Sequence, residues 1–287
     1  MLRRFRLEEP ESVKEVSELL GRFGEAARVY AGGTELLLAM KEGLVQYERL
    51  INVKNIKGLN EVTLDKDTIR IGALCTHHQL ENAPLLHQNL AALVKLEQNV
   101  ANVRVRQVGT FGGNICFAEP HADPGTLLMA LGAQMIAERS TSKREIPAVD
   151  FFVDAYETCL EADEVLTEIR VPVPADKSGV AYLKFGYLER PSVGVAVALR
   201  VDAGGKSIQD ATIAVGCAGP APKRVPEAEA LLKGGSVDEA KANLSKAGEI
   251  AGGASQAISD LHGSQEYKEH IVGVLLKRAF GSALSQC

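Results

Sequence analysis

A chain of 287 residues has room for two or three compact domains, and 46% apolar with 24% charged residues is an ordinary globular composition. A net charge of -5 offers no basic excess to neutralise phosphates, which argues against nucleic acid as a main partner. No apolar run is long enough for a membrane span and the charged start is unlike a signal peptide, so the expected location is cytoplasmic.

Residues 1–55 read as a small α/β unit. The cluster Arg3, Arg4 and Arg6 is short and followed by acids, which suits a solvated end or a salt-bridged first strand. Ser12 is placed to cap a first helix, with Glu15 at the capping-box position and Val13, Val16, Leu19 and Leu20 on one face; Gly21 and Gly24 end it. Val29 to Ala31 reads as a strand. Gly32 and Gly33 follow, then Thr34 as a candidate N-cap and Glu35 to Met40 as a helix. Strand, bare glycine turn and helix start together make an anion site suited to a diphosphate, because glycine lets backbone N–H groups approach a ligand. The same pair also serves as an ordinary tight turn, and neither common phosphate motif is present. Leu50 to Val53 is the next strand, brought back beside the first.

Residues 56–175 form a second unit. Two strands flank Asp65-Lys66-Asp67 as a hairpin, Thr76 starts a helix, and Pro84 interrupts or ends it. Leu90, Leu93, Val94, Glu97 and Val100 follow helical spacing with one polar break. A second glycine loop, Gly109-Thr110-Phe111-Gly112-Gly113-Asn114, comes directly after, and two such loops could close on one diphosphate. Asp123-Pro124 is a good helix start, and Val165 to Val171 has strand character. Pro172 to Gly179 reads as a linker.

Beyond it, Ala181 to Tyr187, Val193 to Val201 and Ser207 to Cys217 read as strands, the last two joined by a hairpin turn at Ala203-Gly204-Gly205. Helices follow near 224–233, 237–251 and 266–281. Strands first and helices afterwards indicate an α+β domain over 176–287.

The five cysteines (75, 116, 159, 217 and 287) are odd in number and widely spaced, with no C-x-x-C. That speaks against a disulfide framework and against a zinc or iron–sulfur site built by this chain alone. The histidines show no ligand spacing, and His121 reads as a polar loop residue. No general base with a poised partner stands out.

Several segments in order carry a resemblance. They are Ala31-Gly32-Gly33-Thr34-Glu35-Leu36-Leu37, Gly109-Thr110-Phe111-Gly112-Gly113-Asn114-Ile115, Pro120-His121-Ala122-Asp123-Pro124 and Leu166 to Pro172. Arg190-Pro191-Ser192-Val193-Gly194, Gly216 to Arg224 and a helix with Tyr267-Lys268-Glu269-His270 complete the series. Over nearly its whole length the chain resembles the FAD-binding medium subunit of molybdenum hydroxylases, the family of aerobic carbon monoxide dehydrogenase and xanthine dehydrogenase.

The resemblance implies an α+β fold. It consists of a two-subdomain FAD-binding fold of the vanillyl-alcohol-oxidase (PCMH) type over 1–55 and 56–175, then a C-terminal domain of a three-stranded antiparallel sheet and a three-helix bundle. It places the FAD diphosphate on Ala31, Gly32, Gly33, Thr34, Glu35 and Leu36, and on Thr110, Gly112, Gly113 and Asn114. Asp123 would contact the cofactor, Leu166 the flavin ring through its backbone, and Lys184 would lie close to the flavin. Read without it, Asp123 is a helix cap, Lys184 a strand-edge charge and Leu166 a core side chain. Phe111 departs from the small aliphatic residue usual at its place.

The implied role is an electron-transfer subunit. A small partner subunit would carry two [2Fe-2S] clusters and a large one the molybdenum cofactor, in a dimer of heterotrimers, and FAD here would pass electrons to an external acceptor. The missing cysteine cluster fits that division of labour. The alternatives are a stand-alone flavin oxidase or dehydrogenase of a small molecule, discriminated by turnover of an organic substrate by the isolated chain, and a redox-inactive nucleotide-binding scaffold.

Overall fold

The computed structural model describes residues 2–186 and 190–287. The first unit runs β1 (Arg6–Glu8), α1 (Val13–Phe23), β2 (Ala27–Tyr30), α2 (Leu36–Glu42) and β3 (Arg49–Asn52). Its sheet is parallel, with β3 between β1 and β2. Ser12 Oγ accepts the Glu15 N–H at 3.3 Å, while the Glu15 carboxylate takes the Glu11 N–H at 2.7 Å, one residue before the expected capping-box partner. Helix α1 runs through Gly21 and stops at Gly24, whose φ of +51° lies where glycine is tolerated. Val16 and Leu20 pack on Ala27, Ile51 and Val53. Glu8 is bound by Arg49, so the basic N-terminal cluster leads into a salt-bridged strand.

The second unit holds β4 (Val62–Asp65), β5 (Thr68–Gly72), α3 (His77–Glu81), α4 (Pro84–Asn89), α5 (Ala91–Glu97), α6 (Val103–Val108), α7 (Phe111–Phe117) and α8 (Pro124–Ala130). It continues with β6 (Gln134–Arg139), β7 (Ser142–Pro147), α9 (Ala148–Phe151), β8 (Phe152–Asp154), β9 (Glu157–Thr158) and β10 (Val165–Pro172). Its main sheet is antiparallel in the order β4-β5-β10-β6-β7. Thr76 and Gln79 make a reciprocal capping box on α3. The helix begun at Thr76 ends at Glu81, just ahead of Pro84, and the proline itself sits in the first turn of the next helix, α4. The β6–β7 hairpin escaped the sequence reading because β7 is Ser-Lys-Arg-Glu-Ile-Pro with Ile146 alone buried, the profile of a charged edge strand.

The C-terminal unit holds β11 (Ser178–Phe185), β12 (Val193–Val201), β13 (Ile208–Gly216), β14 (Lys223–Arg224), α10 (Pro226–Ala230), α11 (Val237–Ala254) and α12 (Gln265–Leu284). Three long antiparallel strands and a two-residue edge strand lie under the helices. Tyr187, the expected end of the first of these strands, falls outside the described residues. Helix α8 is buried at every position and packs on β12 and β13 as well as on its own unit. A helix whose only polar side chain is Thr126 suits a place between two layers.

Helices α11 and α12 cross at glycines. A Cβ on Gly248 would lie 2.9 Å from Gly273 Cα, and one on Gly252 would lie 2.7 Å from the Glu269 carbonyl oxygen. Glycine inside a helix costs about 1 kcal/mol relative to alanine; here the close crossing offsets that cost. Gly248→Val is therefore expected to lower stability by about 1–3 kcal/mol through overpacking. Denaturant unfolding checks this, and an unchanged midpoint would show that the crossing has slack.

Candidate cofactor site

One cleft of about 640 Å³ opens between the first and second units, within the roughly 300–1,000 Å³ typical of small-molecule and cofactor sites. Gly32, Gly33, Thr34, Glu35, Thr110, Gly112, Gly113, Asn114, Asp123 and Leu166 all line it, as do Ala31 and Leu36. The two glycine elements therefore share a crevice. They also touch: a Cβ on Gly32 would overlap the Val108 carbonyl oxygen and lie 2.8 Å from Gly109 Cα. The glycine at 32 is thus required by one loop lying on the other.

The two elements differ in what they offer. In the first, the backbone N–H groups of Gly32, Gly33, Thr34 and Leu36 have no protein acceptor among the described residues, and the earliest amide bond into the helix runs from Leu37 to the Gly33 carbonyl. Gly33 sits at φ +74°, where a side chain would be strained and would strike the Tyr30 ring. Thr34 does not cap the helix. Helix α2 starts at Leu36, Glu35 occupies the cap position, and no side chain bonds its free amides. Arg190 ties Glu35, at 3.4 Å, to Glu119, at 3.0 Å, across the cleft rim.

The second element is no loop. Thr110 caps α7, accepting the Gly113 N–H at 3.1 Å, and Gly112 and Gly113 form its first turn. Helix α6, unforeseen from sequence, precedes it. Phe111 N–H donates to the Cys75 carbonyl, Gly112 N–H to Ala73 and Asn114 N–H to Thr110. With those amides engaged, this element offers side chains: the Thr110 hydroxyl hydrogen, and Asn114, whose Oδ1 is buried without a protein partner. Gly112 is required because a Cβ there would lie 2.6 Å from that of Ala73. Phe111, fully buried, anchors the turn from behind.

Asp123 is buried, and its side chain makes no cap bond to α8. Its Oδ1 accepts the Tyr182 hydroxyl at 2.6 Å and its Oδ2 accepts Lys184 Nζ at 2.9 Å. Burial raises this carboxyl above its ordinary value, against the opposing Lys184 charge and Tyr182 hydrogen bond. Lys184 also donates to the Asn99 carbonyl at 2.8 Å. It is a strut between units and does not itself line the cleft. Leu166 does, because β10 pairs with β5 only from Glu168 onward.

Sequence reasoning missed three groups. His77 lines the cleft with its Nδ1 2.6 Å from Glu97 Oε2, and Glu97 is the polar break in the helical pattern of α5. Arg190 and Glu119 were not singled out for a role; burial pushes Glu119 up, but His121 and Arg190 outweigh it and hold the carboxyl below its ordinary range. His121 lies between Glu119, at 3.1 Å, and Asp260, at 3.5 Å, and Asp260 accepts from the fully buried Lys268 at 2.6 Å. The Arg190–Glu119 and His121–Asp260 pairs join segments far apart in the chain, which no local spacing reveals. Among the described residues no cluster of His, Cys, Asp or Glu is placed to hold a metal, and no helix is long and apolar enough to cross a membrane. Cys116, also in the cleft, has its thiol pushed up to about 12 by burial, so it is no nucleophile at neutral pH.

Residues 3–174 match the family described as FAD binding domain in molybdopterin dehydrogenase, and residues 190–283 match the CO dehydrogenase flavoprotein C-terminal domain. The chain belongs to the FAD-binding medium subunits of the molybdenum hydroxylases. It is 33% identical over 290 residues to the carbon monoxide dehydrogenase medium chain of Hydrogenophaga pseudoflava, covering 99% of this chain and 98% of that one. It is 30% identical to the nicotine 6-hydroxylase medium subunit of Paenarthrobacter nicotinovorans, over 96% and 95% of the two chains. The solved carbon monoxide dehydrogenase from Hydrogenophaga pseudoflava that lacks the Mo-pyranopterin moiety superposes with a TM-score of 0.94 at 33% identity, covering 100% of this chain and 99% of that one. The expected fold class and family are thereby borne out. The members named here are dehydrogenase and hydroxylase subunits, so the chain is an oxidoreductase component.

The cleft fits the family's cofactor. Free amides face it from one wall, Asn114 Oδ1 has no protein partner on the other, and the lining glycines leave no side chain between backbone and ligand.

Proposed function

We propose that this chain is the electron-transfer subunit of a three-subunit molybdenum hydroxylase. Its FAD would take electrons from two [2Fe-2S] clusters in a small iron–sulfur subunit and pass them to an external acceptor. Oxidation of the substrate would take place at a molybdenum cofactor in a large subunit. The assembly would be a dimer of heterotrimers in the cytoplasm, and the chain would divide at residues 55 and 175. Medium chains of carbon monoxide dehydrogenase and of nicotine 6-hydroxylase among the relatives support this reading.

The observation that carries it is the contact of Gly32 with Val108 and Gly109 beneath unpaired amides at Gly32, Gly33, Thr34 and Leu36. Backbone dipoles of this kind neutralise a diphosphate without a lysine or arginine. Thr110 and Asn114 would fix its other side. Glu35 would act by holding Arg190 and Glu119 across the rim, Ala31 and Leu36 by backbone contact, and Leu166 by its main chain on the edge of β10 that β5 leaves unpaired. Asp123 and Lys184 would position the wall between the units. FAD supplies the redox chemistry when bound, and the chain supplies position and electrostatics. With no thiolate and no metal cluster among the described cleft residues, that division suits a subunit whose substrate is electrons.

Apoprotein titrated with FAD is expected to quench flavin fluorescence at one equivalent and to turn yellow. No quenching with correctly folded protein would sink the proposal.

A further inference from the structure

His77 is 2% exposed and its partner Glu97 0%, and the pair is joined to no further ion pair among the described residues. The His77 backbone N–H donates to the Gly109 carbonyl at 3.1 Å, and the ring stands edge-on to Phe111. The empty Cβ position of Gly109 is 3.3 Å from His77 Cδ2 and 3.5 Å from Thr34 Oγ1. Cδ2 is the ring carbon bonded to Nε2, so the side of the ring that carries Nε2 lies against the place where the two glycine elements meet. Nδ1 is occupied by Glu97, whereas Nε2 has no protein partner among the described residues and is not sealed from solvent. It opens onto the cleft, which His77 lines.

We propose that His77 donates a hydrogen bond from Nε2–H to the diphosphate of bound FAD, with Glu97 fixing the ring and keeping a proton on that nitrogen. This rests on reading the cleft as the FAD site. Burial pushes the Glu97 carboxyl up, and when protonated it donates to Nδ1 and leaves the ring proton on Nε2. When Glu97 ionises, Nδ1–H turns to the carboxylate and Nε2 becomes a lone pair facing the phosphates. An anion in the cleft therefore favours the protonated carboxyl, and FAD affinity falls as pH rises through its ionisation. Glu97 Oε1 has no protein partner among the described residues, so none of them balances the carboxylate from that side. The other ionisable groups around the pair are already bound: Asp123 to Lys184, Glu81 to Arg106, and Glu35 to Arg190 across the cleft.

The test titrates apoprotein with FAD across the pH range in which the fold is stable and records phosphorus NMR of the bound cofactor. His77→Gln is expected to weaken FAD binding by roughly tenfold to a hundredfold, the worth of one hydrogen bond to a charged group, and to shift the diphosphate resonances. Glu97→Gln, whose amide can donate to Nδ1 and leave Nε2–H in place, is expected to bind FAD with the fall in affinity at rising pH abolished. Wild-type affinity and unmoved phosphorus resonances in His77→Gln would overturn the inference while leaving the FAD reading intact, as would an unchanged pH profile in Glu97→Gln. Failure of the wild-type chain to bind FAD would overturn both.

Discussion

Gly32→Ala is expected to strip the protein of FAD with little other change in the first unit. The added methyl would overlap the Val108 carbonyl oxygen and press on Gly109 Cα, and both are backbone atoms that cannot rotate away. Relief requires the two glycine elements to separate, which widens the space between the amides of Gly32, Gly33, Thr34 and Leu36 and the side chains of Thr110 and Asn114. An overpacking cost of at least about 2 kcal/mol that falls on the bound geometry corresponds to roughly thirtyfold weaker binding. The measurement is the ratio of flavin to protein after gel filtration, alongside a melting curve. A variant that keeps a full complement of flavin would show that the contact between the loops is not what forms the site.

Asp123→Ala should have the largest effect on stability. It leaves the largely buried Lys184 ammonium and the Tyr182 hydroxyl without the carboxylate, with the Asn99 carbonyl as the acceptor that remains for the lysine among the described residues. Removing one partner of a buried ion pair typically costs about 3–5 kcal/mol, because the other charge is left uncompensated. The paired variant Asp123→Leu with Lys184→Met removes both charges and is expected to recover much of that loss. Urea unfolding of the single and double variants tests the account. A double variant as unstable as the single would mean that shape, and not charge, holds the units together here.

The difference between Asp123 and the glycine elements shows what a sequence can disclose. Asp123 before Pro124 is locally a helix start, and the helix does start there, but the carboxylate serves two residues some sixty positions away. Local spacing carries no trace of such a partner. The first glycine element was legible because strand, turn and helix follow one another within ten residues and each obeys a short-range rule. The second was misread as a loop after α5, since α6 is a six-residue helix with no buried residue and hence no apolar stripe to detect. Glu97 was visible as an anomaly, a charge on an apolar face. A buried charge needs a partner, and that rule could have pointed to a search for one, though not to His77. The three C-terminal strands and long helices were legible because nine-residue strands of Val and Ala and capped helices of eighteen and twenty residues average out local irregularities.

Helix α8 carries a consequence for how such proteins diversify. Every one of its seven residues is enclosed, some by its own unit and some by the sheet beyond the linker. A chimera joining the flavin half of one relative to the tail of another at Pro172–Gly179 would look modular on paper. It would nonetheless inherit a mismatched seam, because the side chains of α8 must be complementary to β12 and β13. The two halves are therefore bound to evolve as a matched set, with their substitutions compensating across that helix and leaving the apparent hinge as a poor crossover point.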